Sequence, residues 1–205
     1  MAKKICIFSV LLVIVITCCG KLDENKKMIF EARSKYVFLD EFLSEHSEGN
    51  LLLVMDFMNR PDKYFEDIKN IPDVFNYFAM LDHLAVQDEK FNKFWFGNFL
   101  KRNFQKDELT LKKIEILNFF ALNSNGYIAG ILVDVYTDLF SKFSEKFLIV
   151  LVKEPDWKRI VYFLDAGDWE TFKTAVEKLG DSGFEGEFKR FVLAPRDKEG
   201  KRIIK

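Results

Sequence analysis

Apolar residues recur at steps of three and four along most of this 205-residue chain. The clearest stripe consists of Ile128, Ile131, Leu132, Val135, Tyr136, Leu139, Phe140 and Phe143. Side chains with this spacing share one face of an α-helix, whereas a half-buried strand alternates at every second residue. Because only four prolines and ten glycines interrupt the pattern, it predicts an all-α fold. We expect a single domain of antiparallel helix pairs, either an irregular α–α stack or a helical-repeat-like array, with a helical bundle as the alternative.

Phenylalanine is unusually frequent, with 23 copies, and most of them fall on the apolar helix faces. This placement predicts a core built from aromatic rings. Helix starts near residues 73, 108 and 145 are spaced by roughly 35–37 residues, a length typical of helix-hairpin repeats. The run Phe147–Val152 is compatible with a helix or with a minor buried strand, because periodicity does not decide such a short apolar segment.

Turn and capping residues divide the pattern into helices. A first helix is predicted over 27–46 and is ended by Gly49-Asn50. Pro61 suits the first position of a later helix, and Asp88 suits the cap of another. Asn125-Gly126 separates two segments of helical period, so we expect a turn between helices there and not a β-hairpin.

The N-terminal segment has the composition of an export signal. Lys3-Lys4 precede the apolar stretch Ile5–Ile16, and Cys18 and Cys19 follow it. The stretch is shorter than the roughly 20 residues of a membrane span but suits a signal-peptide core. The segment resembles the signal of bacterial lipoproteins, in which a cysteine at the cleavage site receives a diacylglycerol. The resemblance implies a signal peptide at 1–18 and a lipid on Cys19, with Cys18 as the alternative.

This resemblance also implies how the chain is organised and where it is located. Residues 19–27 would be a lipidated tether, 28–194 the helical domain, and 195–205 a charged tail that frays. Gly20 stands where the family's inner-membrane retention signal has Asp. We therefore expect a lipid-anchored protein of the bacterial cell envelope, in the outer membrane if the organism has two membranes.

Three residues are candidates for binding. Four rings of the segment 91–99 share one predicted helix face, and Phe96 falls off that face. An exposed ring can anchor a partner, so Phe96 and the adjacent Trp95 are the first candidates. His83 is the third, because it flanks an apolar helix face and histidine titrates near neutral pH.

No metal site, cofactor or catalytic residue is predicted. The histidines lack metal-ligating spacing, and no phosphate-binding glycine loop or dinucleotide-binding motif occurs. The segment 165–170 carries three carboxylates but lacks the twelve-residue spacing of a calcium loop. Asp168 is better explained as the N-cap of the helix that follows it.

The charge pattern does not favour nucleic-acid binding. Loss of Lys3 and Lys4 with the signal leaves 29 basic and 32 acidic residues, and the two signs alternate along the chain. The function that these observations favour is a membrane-anchored lipoprotein whose helical domain binds another protein, and not an enzyme. Two alternatives stay open: a hydrolase that acts on envelope polymers with a carboxylate pair, and a module that binds an apolar ligand.

Overall fold

A computed structural model describes residues 24–104, 109–124 and 126–203. These residues form eleven α-helices and one 3₁₀-helix and no β-sheet, so the predicted all-α fold is confirmed. None of the described helices combines the length and the apolar composition needed to cross a membrane. The described residues group into two compact units, one within 24–56 and the other within 57–203. Cys18 and Cys19 lie outside the described residues.

The first unit contains two complete helices and most of a third. They are α1 (Glu24–Lys35), α2 (Val37–Glu45) and α3 (Glu48–Asn59). The prediction of one helix over 27–46 is wrong, because the extended backbone of Tyr36 (φ −126°, ψ 108°) separates α1 from α2. The apolar spacing continues across Tyr36 and therefore did not reveal the break. Residues 24–27, assigned to the tether from sequence, are the first turn of α1.

The start of α3 also differs from the sequence prediction. Gly49 and Asn50 lie inside the helix and do not interrupt it. The Ser47 hydroxyl accepts a hydrogen bond from the Asn50 backbone N–H (3.3 Å), so the break lies just before the glycine. In the same unit, Asn25 Nδ2 donates to Asp56 Oδ1 (2.8 Å) and joins the start of α1 to α3.

The second unit contains the remaining helices. They are α4 (Pro61–Ile68), α5 (Val74–Gln87), the 3₁₀-helix η1 (Glu89–Phe94), α6 (Phe96–Phe104), α7 (Leu111–Asn123), α8 (Gly126–Leu151), α9 (Trp157–Leu164), α10 (Trp169–Glu177) and α11 (Gly183–Val192). Several predicted boundaries are confirmed. Pro61 occupies the first turn of α4, and Asp88 caps η1 by accepting from the Lys90 N–H (3.1 Å). Helix α7 ends at Asn123 and α8 begins at Gly126, whereas Asn125 lies outside the described residues.

Helix α8 contains a kink at Phe143 (φ −132°, ψ 32°). Residues 147–151 continue the helix, so the alternative of a minor strand near 147–152 is wrong. Phe147 and Leu148 are buried whereas Ile149 is 48% exposed, which is a helical and not an alternating pattern. The predicted repeat start at residue 145 falls inside α8.

Aromatic rings fill the core of the second unit, as the sequence predicted for the core in general, and the structure divides them into two groups. Ring cluster 1 consists of Phe57, Phe75, Phe78, Phe96, Phe99, Phe104, Phe119 and Phe120. Ring cluster 2 consists of Tyr136, Phe140, Phe147, Trp157, Phe163, Phe172, Phe184, Phe188 and Phe191. Most neighbouring rings are tilted or T-shaped, the arrangements that the ring quadrupole favours.

Candidate interaction groove

The C-terminal residues Pro195–Ile203 form a closed turn. The Asp197 carboxylate accepts from the Lys201 backbone N–H (2.8 Å), and the Ile203 N–H donates to the Pro195 carbonyl (2.6 Å). Gly200 provides the left-handed backbone (φ +80°) that reverses the chain. The expectation that the tail 195–205 frays is therefore wrong for its described residues.

Arg202 fixes this turn to the helices. Its side chain is fully buried, and its guanidinium donates to Asp165 Oδ2 and lies 4.9 Å from the Tyr162 ring centroid and 5.0 Å from that of Phe191. Arg196 Nη2 donates to the same Asp165 oxygen (2.7 Å). We call Asp165, Arg196 and Arg202 the tail clasp. Because Asp165 follows α9 directly, the clasp joins the tail to the helical body.

The docked tail forms one wall of a groove with a volume of about 560 Å³, which we call the tail groove. It is lined by Lys158, Glu187, Arg190, Phe191, Ala194, Pro195 and Ile203. Helices α9 and α11 supply the charged side chains and Phe191, and the tail supplies the other apolar surface. Ile203 is 46% exposed, although an isoleucine side chain prefers burial.

The charges of the tail groove are only partly matched by neighbouring residues: a hydrogen bond from Lys189, and then the charges of Lys189 and Arg190, lower the pKa of Asp181. Among the described residues, none forms an ion pair with Lys158, Glu187 or Arg190. The Lys158 ammonium instead lies 5.4 Å from the Trp157 ring centroid and 5.5 Å from that of Phe191. Lys158 and Glu187 are therefore available to an incoming group, and Arg190 is shared with Asp181.

A second cleft, of about 630 Å³, differs in this respect. Its Lys173 Nζ lies 3.7 Å from Glu177 Oε1, and its Arg196 is bonded to Asp165. Since these charges already have partners inside the protein, the second cleft offers less to a ligand than the tail groove does.

Phe96 does not occupy the exposed position that sequence predicted. It is fully buried in ring cluster 1, with its centroid 5.1 Å from that of Phe120. The cause is a change of helix phase, because η1 ends at Phe94 and α6 begins at Phe96. The Asp82 carboxylate accepts from the Phe96 backbone N–H (2.6 Å) at this junction.

The other two binding candidates are not at the groove either. Trp95 is half-buried, and its ring lies against Gly97, where an added Cβ would be 3.0 Å from a ring atom. His83 is exposed on α5. Neither lines the tail groove. The sequence marked Asp165 only as part of the acidic segment 165–170 and gave no signal for Arg202, which lies 37 residues away.

The acidic segment 165–170 serves two structural purposes. Asp168 is the N-cap of α10, as predicted, because its Oδ1 accepts from the Thr171 N–H (3.1 Å). The Thr171 hydroxyl and N–H lower the pKa of Asp168. Asp165 belongs to the tail clasp. Within the described parts of the chain, no three His, Cys, Asp or Glu side chains are grouped to hold a metal ion.

Comparison with known proteins finds no match to this chain among family models, curated proteins or solved structures.

Proposed function

We propose that this protein is a lipoprotein of the bacterial cell envelope, anchored by a lipid on Cys19 or alternatively Cys18, whose helical domain binds another protein. The observation that carries the protein-binding part of the proposal is the tail groove, in which charged side chains surround an apolar surface. Protein interfaces commonly combine an apolar centre with a polar rim, and aromatic residues and Arg are enriched in them.

The groove chemistry defines the partner segment. Lys158 and Arg190 outnumber Glu187, so the groove carries one net positive charge. A complementary segment presents an apolar side chain to Phe191 and Ile203 and a carboxylate to the two cations. An amphipathic, acidic segment of another envelope protein meets both requirements.

The two alternatives draw less support from the described residues. A carboxylate-pair hydrolase needs two carboxyl groups in one cleft, whereas Glu187 is the one carboxylate among the residues that line the tail groove. A module for an apolar ligand needs an open apolar interior, whereas the two ring clusters fill the core of the second unit.

Metabolic labelling with a palmitate analogue tests the anchor. Wild type should be labelled, Cys19→Ser should lose the label, and Cys18→Ser should keep it. Loss only in Cys18→Ser would move the lipid to that residue. No label in wild type would overturn the lipoprotein part of the proposal.

Site-specific photo-crosslinking on intact cells tests the groove. A photoreactive residue at Ile203 should give a defined adduct, and the same residue at Val86, which is 78% exposed on α5, should not. Charge reversal by Lys158→Glu with Arg190→Glu should abolish the Ile203 adduct. Equal adducts at both positions, or an adduct that survives charge reversal, would contradict binding at the groove.

A further inference from the structure

The first helix carries an aromatic side chain that the fold leaves in water. Phe30 on α1 is 74% exposed, whereas every other phenylalanine among the described residues is buried or half-buried. Exposure of an apolar ring to water is unfavourable, so a surface that covers Phe30 is favoured by burial of the ring. Because single exposed apolar residues are common in proteins, the surroundings of Phe30 have to identify that surface.

Phe30 lies on the side of α1 that faces away from the core. The buried residues of this helix are Asn25, Met28, Ile29 and Ala32. At 3.6 residues per turn these four share one side of the helix, and Phe30 projects from the opposite side. Lys26 and Lys27 lie one turn before Phe30, so their side chains are next to the ring. We call Lys26, Lys27 and Phe30 the outer face of α1.

Both lysines of the outer face are available to an anionic surface. Lys26 is exposed and forms no ion pair with another described residue. Lys27 Nζ lies 3.9 Å from Glu31 Oε1, but the two side chains are 67% and 44% exposed, so water screens this pair. The outer face therefore presents an apolar ring beside two positive charges.

The outer face is also close along the chain to the proposed lipid. Five residue steps separate Cys19 from Glu24, where α1 begins. Full extension of these steps spans roughly 18 Å, and the six helical steps from Glu24 to Phe30 add about 9 Å. A lipid on Cys19 therefore keeps Phe30 within about 27 Å of the membrane-bound residue in every conformation. Such a tether turns a weak surface contact into an intramolecular one with a high effective concentration.

We propose that the outer face of α1 contacts the bilayer in which the protein is anchored. Phe30 inserts among the lipid headgroups, and Lys26 and Lys27 bind the phosphates of anionic lipids. Helices that lie on membranes combine an apolar side chain at the headgroup level with flanking basic residues, and anionic lipids attract such residues. Helix α1 has four basic and two acidic residues, whereas the chain after the signal has more acidic than basic residues, so the positive charge is local to this helix. The inference rests on the lipid anchor of the proposed function and does not depend on the tail groove.

Fluorescence of the lipidated protein in vesicles tests the contact. All three cysteines, Cys6, Cys18 and Cys19, lie at or before the proposed lipidation site, so a Phe30→Cys variant has one free thiol for an environment-sensitive apolar dye. In vesicles of phosphatidylethanolamine and phosphatidylglycerol, the dye emission should shift to shorter wavelength, and lipids with a spin label at the headgroup should quench it. The same dye in Val86→Cys, at an apolar position of α5 that is 78% exposed, is the matched control and should show neither effect.

Charge variants test the two lysines. Lys26→Glu with Lys27→Glu should abolish the emission shift at position 30, whereas the same change of charge by Lys153→Glu with Lys178→Glu, at exposed lysines of the second unit, should leave it intact. A shift that survives reversal of Lys26 and Lys27 would overturn their assignment to lipid phosphates.

The same samples separate failure of the contact from failure of the anchor. Protein that floats with the vesicles but gives equal emission and quenching at positions 30 and 86 would overturn the contact of the outer face and leave the anchor standing. Protein that does not float with the vesicles would overturn the lipid anchor, and the contact with it.

Discussion

Each of the two compact units contains a cluster of three charged side chains. The cluster in the first unit has one arginine and two carboxylates, and the cluster in the second unit has one carboxylate and two arginines. In the first unit, Arg33 binds Asp40 (2.7 Å) and Glu48 (3.0 Å), and the three side chains are 43%, 60% and 45% exposed. In the second unit, Asp165 binds Arg196 and Arg202, and Asp165 and Arg202 are 8% and 0% exposed.

The difference in burial decides how much each cluster contributes to the stability of the folded protein. Exposed ion pairs gain little, because water screens the charges and ordering long side chains costs entropy. A buried charge that loses its partner is strongly unfavourable. Two atoms of the tail clasp, Asp165 Oδ1 and Arg202 Nη1, are buried without a hydrogen-bond partner among the described residues. Burying these two atoms without partners is unfavourable. The ion pairs of Asp165 with Arg196 and Arg202 offset this free-energy cost only while all three side chains are present.

Among the substitutions considered, Asp165→Asn should cause the largest loss of stability. This substitution keeps the shape of the side chain but leaves Arg202 buried without a counter-charge. We expect a loss of about 3 kcal/mol in the free energy of unfolding, the low end of the range for a broken buried pair, because the tail can detach. Urea unfolding measures the loss, and trypsin should cleave the tail faster than in wild type. Arg196→Ala, which removes the half-exposed partner, should cost clearly less, and an equal cost would contradict the role of burial.

Gly167→Ala should have the next largest effect. Gly167 lies in the turn that carries Asp165, and an added Cβ would lie 2.2 Å from Thr137 Oγ1 and 3.1 Å from Val133 Cγ1 on α8. Thr137 cannot easily move, because it is 1% exposed and donates to the Val133 carbonyl (2.9 Å). We expect a loss of about 1–3 kcal/mol in unfolding free energy, as for other overpacked sites.

A matched control for this prediction is Gly130→Ala on α8, where nothing lies within 4 Å of the added Cβ. There the alanine should stabilise the helix by about 0.5–1 kcal/mol. A similar loss of stability at both glycines would show that the close approach at Gly167 is not the cause.

A smaller effect, which depends on pH, is expected for Glu66→Gln. Hydrogen bonds from Lys112 and Lys69 lower the pKa of Glu66 from its ordinary 4.5 to about 2. A lowered carboxyl pKa stabilises the folded state above pH 4.5, and this stabilisation is lost as the pH falls towards 2. The melting temperature of wild type should exceed that of Glu66→Gln at pH 7, and the difference should close between pH 4.5 and 2. If the melting temperatures of wild type and Glu66→Gln still differed as much at pH 2, the loss of stability would come from packing and not from the charge of Glu66.

The smallest effect should come from Arg33→Gln in the first unit. Water already screens this cluster, so the melting temperature should change little, and added salt should reduce the change further. Thermal unfolding followed by circular dichroism measures it. If Arg33→Gln were as destabilising as Asp165→Asn, burial would not be what distinguishes the two clusters.

Local signals in the sequence predicted much of the fold. The apolar period placed the helices, and Pro61 and Asp168 marked helix starts correctly, because caps and periods depend only on nearby residues. The same period failed at Tyr36 and at Phe96. In both places one helix ends and another begins without disturbing the spacing of the apolar residues. The spacing of apolar residues therefore reveals which face of a helix is buried, but it does not reveal where one helix ends and the next begins in a different orientation.

The candidate sites were less predictable. Phe96 was expected to be exposed and is buried, whereas Arg202 had no sequence signal and Asp165 was noticed only as one of three nearby carboxylates. A buried ion pair is defined by residues far apart in the chain, so no local pattern distinguishes its members from charged residues on the surface.

The sequence by itself determined that the described chain is helical and that rings form its core, because side-chain spacing and hydrophobicity act locally on each helix. Tertiary structure alone decided that the tail docks, that Arg202 is buried against Asp165 and that a groove opens beside the tail. Each of these features depends on which distant side chains exclude water from one another, and burial fixes the strength of a charge or a hydrogen bond.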